Sequence, residues 1–119
     1  MEYVARWFTA FLFTVAVEVP IATTFLRGKE PFPVWRRFVL ALAAQCASHP
    51  AVWVVYPELP IPYWTMIVIA ETWAFGSETV LYAALGRGVS WRRAAGVSLV
   101  ANGLSYGIGL LLQTWGWLR

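Results

Sequence analysis

The chain is poor in charge. Only 13% of its 119 residues are charged, about half of the ~25% usual in a soluble domain. With 60% of residues hydrophobic, this argues against an ordinary water-facing surface and leaves an unusually apolar soluble helical domain as the alternative. Cysteine is scarce too. Cys46 stands alone, so no intramolecular disulfide can form. Also missing are an ATP-binding loop, a dinucleotide fingerprint, HExxH, GxSxG and CxxC. The sequence therefore leans away from an enzyme and assigns no cofactor. A cleavable signal is not expected: Glu2 follows the first residue and no small-x-small site lies at the right distance. The first apolar run reads as a retained helix.

Four apolar runs are present instead, at about 4–26, 36–57, 63–85 and 94–117. Each approaches the ~20 residues needed to cross a bilayer core of about 30 Å. The expected fold is an all-α integral membrane protein, a four-transmembrane-helix bundle in a single domain over residues 1–119. Short connections make sequential helices antiparallel neighbours. The net charge of +3 and pI of 9.4 do not point to nucleic acid, because the basic residues cluster in two connections. Arg27, Lys29, Arg36 and Arg37 lie in the first, and Arg87, Arg92 and Arg93 in the third. The second carries none, and holds Glu58. By the positive-inside rule, segments 27–37 and 86–93 are expected in the cytoplasm and both termini outside, periplasmic in a bacterial inner membrane. Trp and Tyr near the span ends (Tyr3, Trp7, Trp35, Trp53, Tyr56, Tyr63, Trp64, Trp91, Trp115, Trp117) read as interfacial belts.

The two halves resemble each other. Glu18 lies nine residues before Arg27, and Glu78 nine before Arg87. A WRR triplet follows in each, at 35–37 and 91–93. Then come an amide and a serine three apart: Gln45 and Ser48, then Asn102 and Ser105. Three steps turn 300°, which keeps both on one helix face. Tandem parallel hairpin repeats, at about 9–56 and 69–115, are expected, related by an axis along the membrane normal. The plainer alternative, that WRR marks a helix entering from the cytoplasm, leaves the amide–serine pairs unexplained.

The polar residues inside the spans are the candidate site. At 1.5 Å per residue, Glu18, Glu78, Gln45 and Asn102 fall in one layer toward the basic connections, with Ser48 deeper. Glu18, Glu71, Glu78 and His49 are the candidate proton- or cation-binding residues, because intramembrane ionisable groups mark sites by default. Gln45, Ser48, Asn102 and Ser105 form the supporting layer. No Lys or Arg lies among them to neutralise the acids. Glu71 and Glu78 share a helix face about 10.5 Å apart, too far for direct contact. Phe11 takes the place of Glu71 in the first half, and His49 is its expected neighbour. His49 also admits readings as a metal ligand, with Cys46 on the same face, or as an ordinary satisfied polar residue. The plain alternative for each glutamate is a neutral acid bonded to Gln45 or Asn102 as helix glue. Pro50 frees the carbonyl of Cys46, and Pro20 is expected to kink the first helix. Gly103 and Gly107 read as a tight helix contact, within the bundle or between protomers.

Three functions compete on this sequence. The favoured one is a proton- or cation-linked transporter or channel-like module, in a lipid bilayer, as a homo-oligomer or beside a larger membrane partner. A structural or assembly subunit comes second. An intramembrane enzyme or a binder of metal, lipid or pigment comes third.

Overall fold

The computed structural model describes residues 2–55 and 58–114, without the side chains of residues 3, 54, 55 and 113. Tyr56, Trp115 and Trp117, with the expected span ends at 56–57 and 115–117, lie outside the described residues.

The chain forms an all-α bundle of four long helices. These are α1 (Glu2–Phe25), α2 (Val34–Pro50), α3 (Tyr63–Leu85) and α4 (Trp91–Thr114). Proline sets two of the starts. Pro33 and Pro62 precede α2 and α3 with extended ψ values of 148° and 149°, since a proline ring fixes φ and lacks a donor. Ser90 caps α4, its Oγ accepting from the Arg93 backbone N–H at 3.1 Å. At the far end of α3, Gly86 leaves the helix and its N–H donates to Tyr82 O.

Pro20 sits inside α1, which continues to Phe25 without interruption. Pro50 has a different effect. Beyond it the backbone widens into a π-helical turn, Ala51–Val55. A proline cannot complete the i→i−4 ladder, and π-type turns are one way a helix absorbs that defect.

The helices pack as a ring: α1 on α2, α2 on α3, α3 on α4, and α4 back on α1. Thus α1 faces α3 across the centre, and α2 faces α4. The molecule measures 42 × 27 × 24 Å. Its apolar core, built on Ala22, Leu26, Ala41 and Ala94, lies toward the end bearing the first and third connections.

Those two connections touch. The Lys29 N–H donates to Gly88 O at 3.3 Å. A Cβ on Gly28 would overlap Arg87 O and the Gly88 backbone, so the approach needs glycine. Gly88 itself takes a left-handed φ of 70°.

Two stretches, Val4–Phe25 and Trp91–Leu112, are long and apolar enough to cross a membrane by length and composition. The sequence reading expected four. The regular part of α2 is only 17 residues long, and Glu71 and Glu78 dilute the hydropathy of α3.

Candidate functional site

Polarity is distributed inside out. Buried in the bundle are Glu18, Gln45, Ser48, His49, Glu78, Thr79, Ser98, Asn102 and Ser105. Exposed on its flanks are Phe8, Leu12, Phe38, Val39, Val68, Val80, Leu99, Val100, Leu104 and Leu111. Water rewards the opposite arrangement.

Glu18 from α1 and Glu78 from α3 meet at the centre of the ring. Their residues are 2% and 1% exposed, and the two carboxyl groups lie within hydrogen-bonding and electrostatic reach of each other. Gln45 of α2 joins them: its Nε2 donates to Glu18 Oε1 at 3.1 Å and to Glu78 Oε1 at 2.5 Å. From α4, Asn102 Nδ2 donates to Glu78 Oε2 at 2.9 Å. The same amide donates to Ser98 O at 2.8 Å and Ser98 Oγ at 3.2 Å. The Ser105 hydroxyl is turned to Glu18. No ion pair forms among the described residues, so no cation balances these acids. Two carboxyl groups at this distance can hydrogen-bond to each other only if one carries a proton.

Tyr82 stands one helical turn beyond Glu78, wholly buried. Its hydroxyl lies within electrostatic reach of Glu78 and Glu18 but closes no hydrogen bond of standard geometry. In the sequence Tyr82 looked like one more aromatic in an apolar run. Its spacing of four from Glu78 is the signal that could have found it.

The remaining candidates separate from this centre. Glu71 is half-buried, within electrostatic reach of Glu78. His49 does not pair with it. The imidazole packs edge-on against Phe11 at 5.2 Å between centroids, and its Nδ1 has no hydrogen-bond partner. Tyr106 lies within electrostatic reach of Glu71. The correction has a simple cause: residue counting gives height along a helix, whereas the partner depends on how two helices are rotated. Cys46 is exposed while His49 is buried, so the two do not share a usable face. No cluster of three or more metal-ligating residues occurs among the described residues.

Ser48 is held differently from Ser105. Its backbone carbonyl accepts from Trp73 Nε1 at 3.0 Å, tying α2 to α3. Gly103 and Gly107 leave open space where a Cβ would stand. Neither makes a tight contact within the bundle, the first of the two contacts their spacing suggests.

The second arginine of each WRR triplet has a role that sequence reading missed. Arg37 Nη1 donates to Thr23 O at 2.9 Å, and its Nε to Phe32 O at 2.8 Å. Arg93 Nη1 donates to Phe25 O at 3.0 Å. Both guanidinium groups thus satisfy carbonyls at the C-terminal end of α1, where the helix dipole is negative.

No protein-family model matches the chain, and neither a curated protein nor a solved structure is similar to it.

Proposed function

We propose that the chain is an integral membrane protein whose four helices all span the bilayer, and that the Glu18–Glu78 pair binds a proton or small cation for transport. The observation that carries this reading is Gln45, one amide donating to two buried carboxyl groups at 3.1 and 2.5 Å that no Lys or Arg side chain among the described residues pairs with. Intramembrane acids are costly and mark ion or proton pathways.

The membrane assignment draws support from the inverted polarity and from the 42 Å length, close to the 40–45 Å of a bilayer with its headgroups. Trp35, Trp91, Tyr63 and Trp64 are all exposed near helix starts, two at each end of the bundle, as interfacial anchors are. The excess of Arg and Lys at 27–37 and 86–93 favours a cytoplasmic position for those segments, with the termini outside, as in a bacterial inner membrane.

Tandem duplication accounts for the site's symmetry. Gln45 reaches Glu18 as Asn102 reaches Glu78. Phe11 meets His49, and at the corresponding positions Glu71 lies within electrostatic reach of Tyr106. Under this reading the pair sits on the axis between two parallel hairpins.

The test is flux of protons or small cations into liposomes carrying the purified protein, with Glu18→Gln and Glu78→Gln as controls. Flux that both substitutions abolish supports the proposal. An assembly subunit is the second reading, favoured by the outward, uncrowded Gly103 and Gly107 on α4, a face suited to close helix docking. Absence of flux, with a larger membrane protein co-purifying, would decide for it.

A further inference from the structure

The two sides of the carboxyl pair are built from different material. Toward the first and third connections, buried side chains come from every helix; the hydroxyls of Thr79, Tyr82 and Ser98 lie just below the acids, those of Thr79 and Ser98 tied to Phe75 O, and the layer beyond them is mainly apolar. Ala22 and Leu26 belong to α1, Ala41 to α2, Ala94 to α4, and each is 0% exposed. Phe32 and Val89 from the connections close the end below them. Tyr82, wholly buried, is the floor under the acids, and in the layer beyond it Thr23 Oγ1 is buried without a hydrogen-bond partner.

Toward the second connection the lining is polar on three of the four helices. Ser105 touches Glu18 from α4. Ser48 is buried on α2, with His49 beside it. Glu71 on α3 is half-buried, within electrostatic reach of Glu78 on one side and of Tyr106 on the other. Tyr106 in turn lies within reach of Tyr63, which is exposed at the start of α3.

We infer that the Glu18–Glu78 pair exchanges its proton with the side of the bundle that bears residues 58–62, by way of Ser105 and Glu71, and is sealed from the opposite side by Tyr82 and the Leu26 plug. This rests on the reading of the pair as a proton site. The titratable groups within electrostatic reach of the pair are Tyr82 and Glu71 on α3, and α1 contributes Glu18 itself; on the same side His49 of α2 packs against Phe11, and Tyr106 of α4 lies within electrostatic reach of Glu71. A proton cannot cross an apolar plug without polar partners, because a bare charge there is strongly disfavoured. Hydroxyl and carboxyl groups supply such partners on the other side. In this reading the described conformation exchanges protons with one side only, and transport requires a second conformation in which the Leu26 layer parts.

The test is a sided pH jump on proteoliposomes with uniformly oriented protein. The readout is the infrared carboxylic C=O band that Glu18→Gln removes. A jump on the side of residues 58–62 is expected to change the band roughly tenfold faster than the same jump on the basic side, about 1.4 kcal/mol in the barrier to proton exchange. Leu26→Ser is expected to raise the rate from the basic side. Equal rates from both sides in the unmodified protein, or a faster response from the basic side, overturn the inference while leaving the proton site intact. A band that titrates neither in liposomes nor in detergent overturns the site reading and the inference with it.

Discussion

Gly28 and Gly88 meet backbone to backbone, so closely that a methyl group on Gly28 would overlap its neighbour. They lie as far apart in sequence as Glu18 and Glu78, which also meet. In a two-fold arrangement only residues near the axis touch their own counterparts. Under the proposed duplication, one axis along the bundle would pass through both pairs and account for the glycines at one level and the facing acids at another.

The glycine contact yields the first prediction. Gly28→Ala is expected to destabilise the protein by about 1–3 kcal/mol, the usual cost of overpacking. Gly103→Ala, where nothing lies within 4 Å of the added carbon, is expected to stay within about 0.5 kcal/mol of the parent. Unfolding in mixed micelles compares them, and equal effects would contradict the close approach.

Gln45 is the hub of the polar centre. Gln45→Ala removes one donor group from two buried carboxyl oxygens, and leaving such groups unsatisfied costs about 1–3 kcal/mol. Asn102→Ala removes a donor from Glu78 alone, so its effect on Glu18 is expected to be smaller. A carboxyl infrared spectrum of each variant separates them: Gln45→Ala is expected to shift the signals of both glutamates, Asn102→Ala chiefly that of Glu78.

The arginines of the two WRR triplets are expected to differ. Arg37 bonds two carbonyls at 2.8 and 2.9 Å in a partly buried setting, so Arg37→Gln is expected to cost about 1.5–3 kcal/mol, as for charge-assisted bonds. The bond from Arg93 is exposed, and Arg93→Gln is expected to cost under about 1 kcal/mol. Hydrogen exchange at residues 22–26 would locate the loss at the end of α1. Protection unchanged there in both variants would remove the capping role.

Much of the centre was legible because polar residues stand out in apolar spans. Glu18, Gln45, Glu78 and Asn102 needed only their spacing and the two-half alignment to be placed near one height. What escaped was everything set by rotation and chain path. Helix rotation put Phe11, not Glu71, against His49, and turned Gly103 and Gly107 outward. The π-helical turn after Pro50 follows from how one helix relieves a missing hydrogen bond, for which a straight span is the simpler guess. Arg37 and Arg93 looked like topology signals, and their bonds to α1 depend on tertiary neighbours that sequence distance hides.

The central claim is that Glu18 and Glu78 act as one unit sharing a proton. The most direct measurement is a carboxyl-resolved infrared titration of the reconstituted protein beside Glu18→Gln and Glu78→Gln. One carboxylic proton per pair near neutral pH, with its band altered by either substitution, is the predicted result. Two glutamates that titrate independently, each indifferent to replacement of the other, would contradict it.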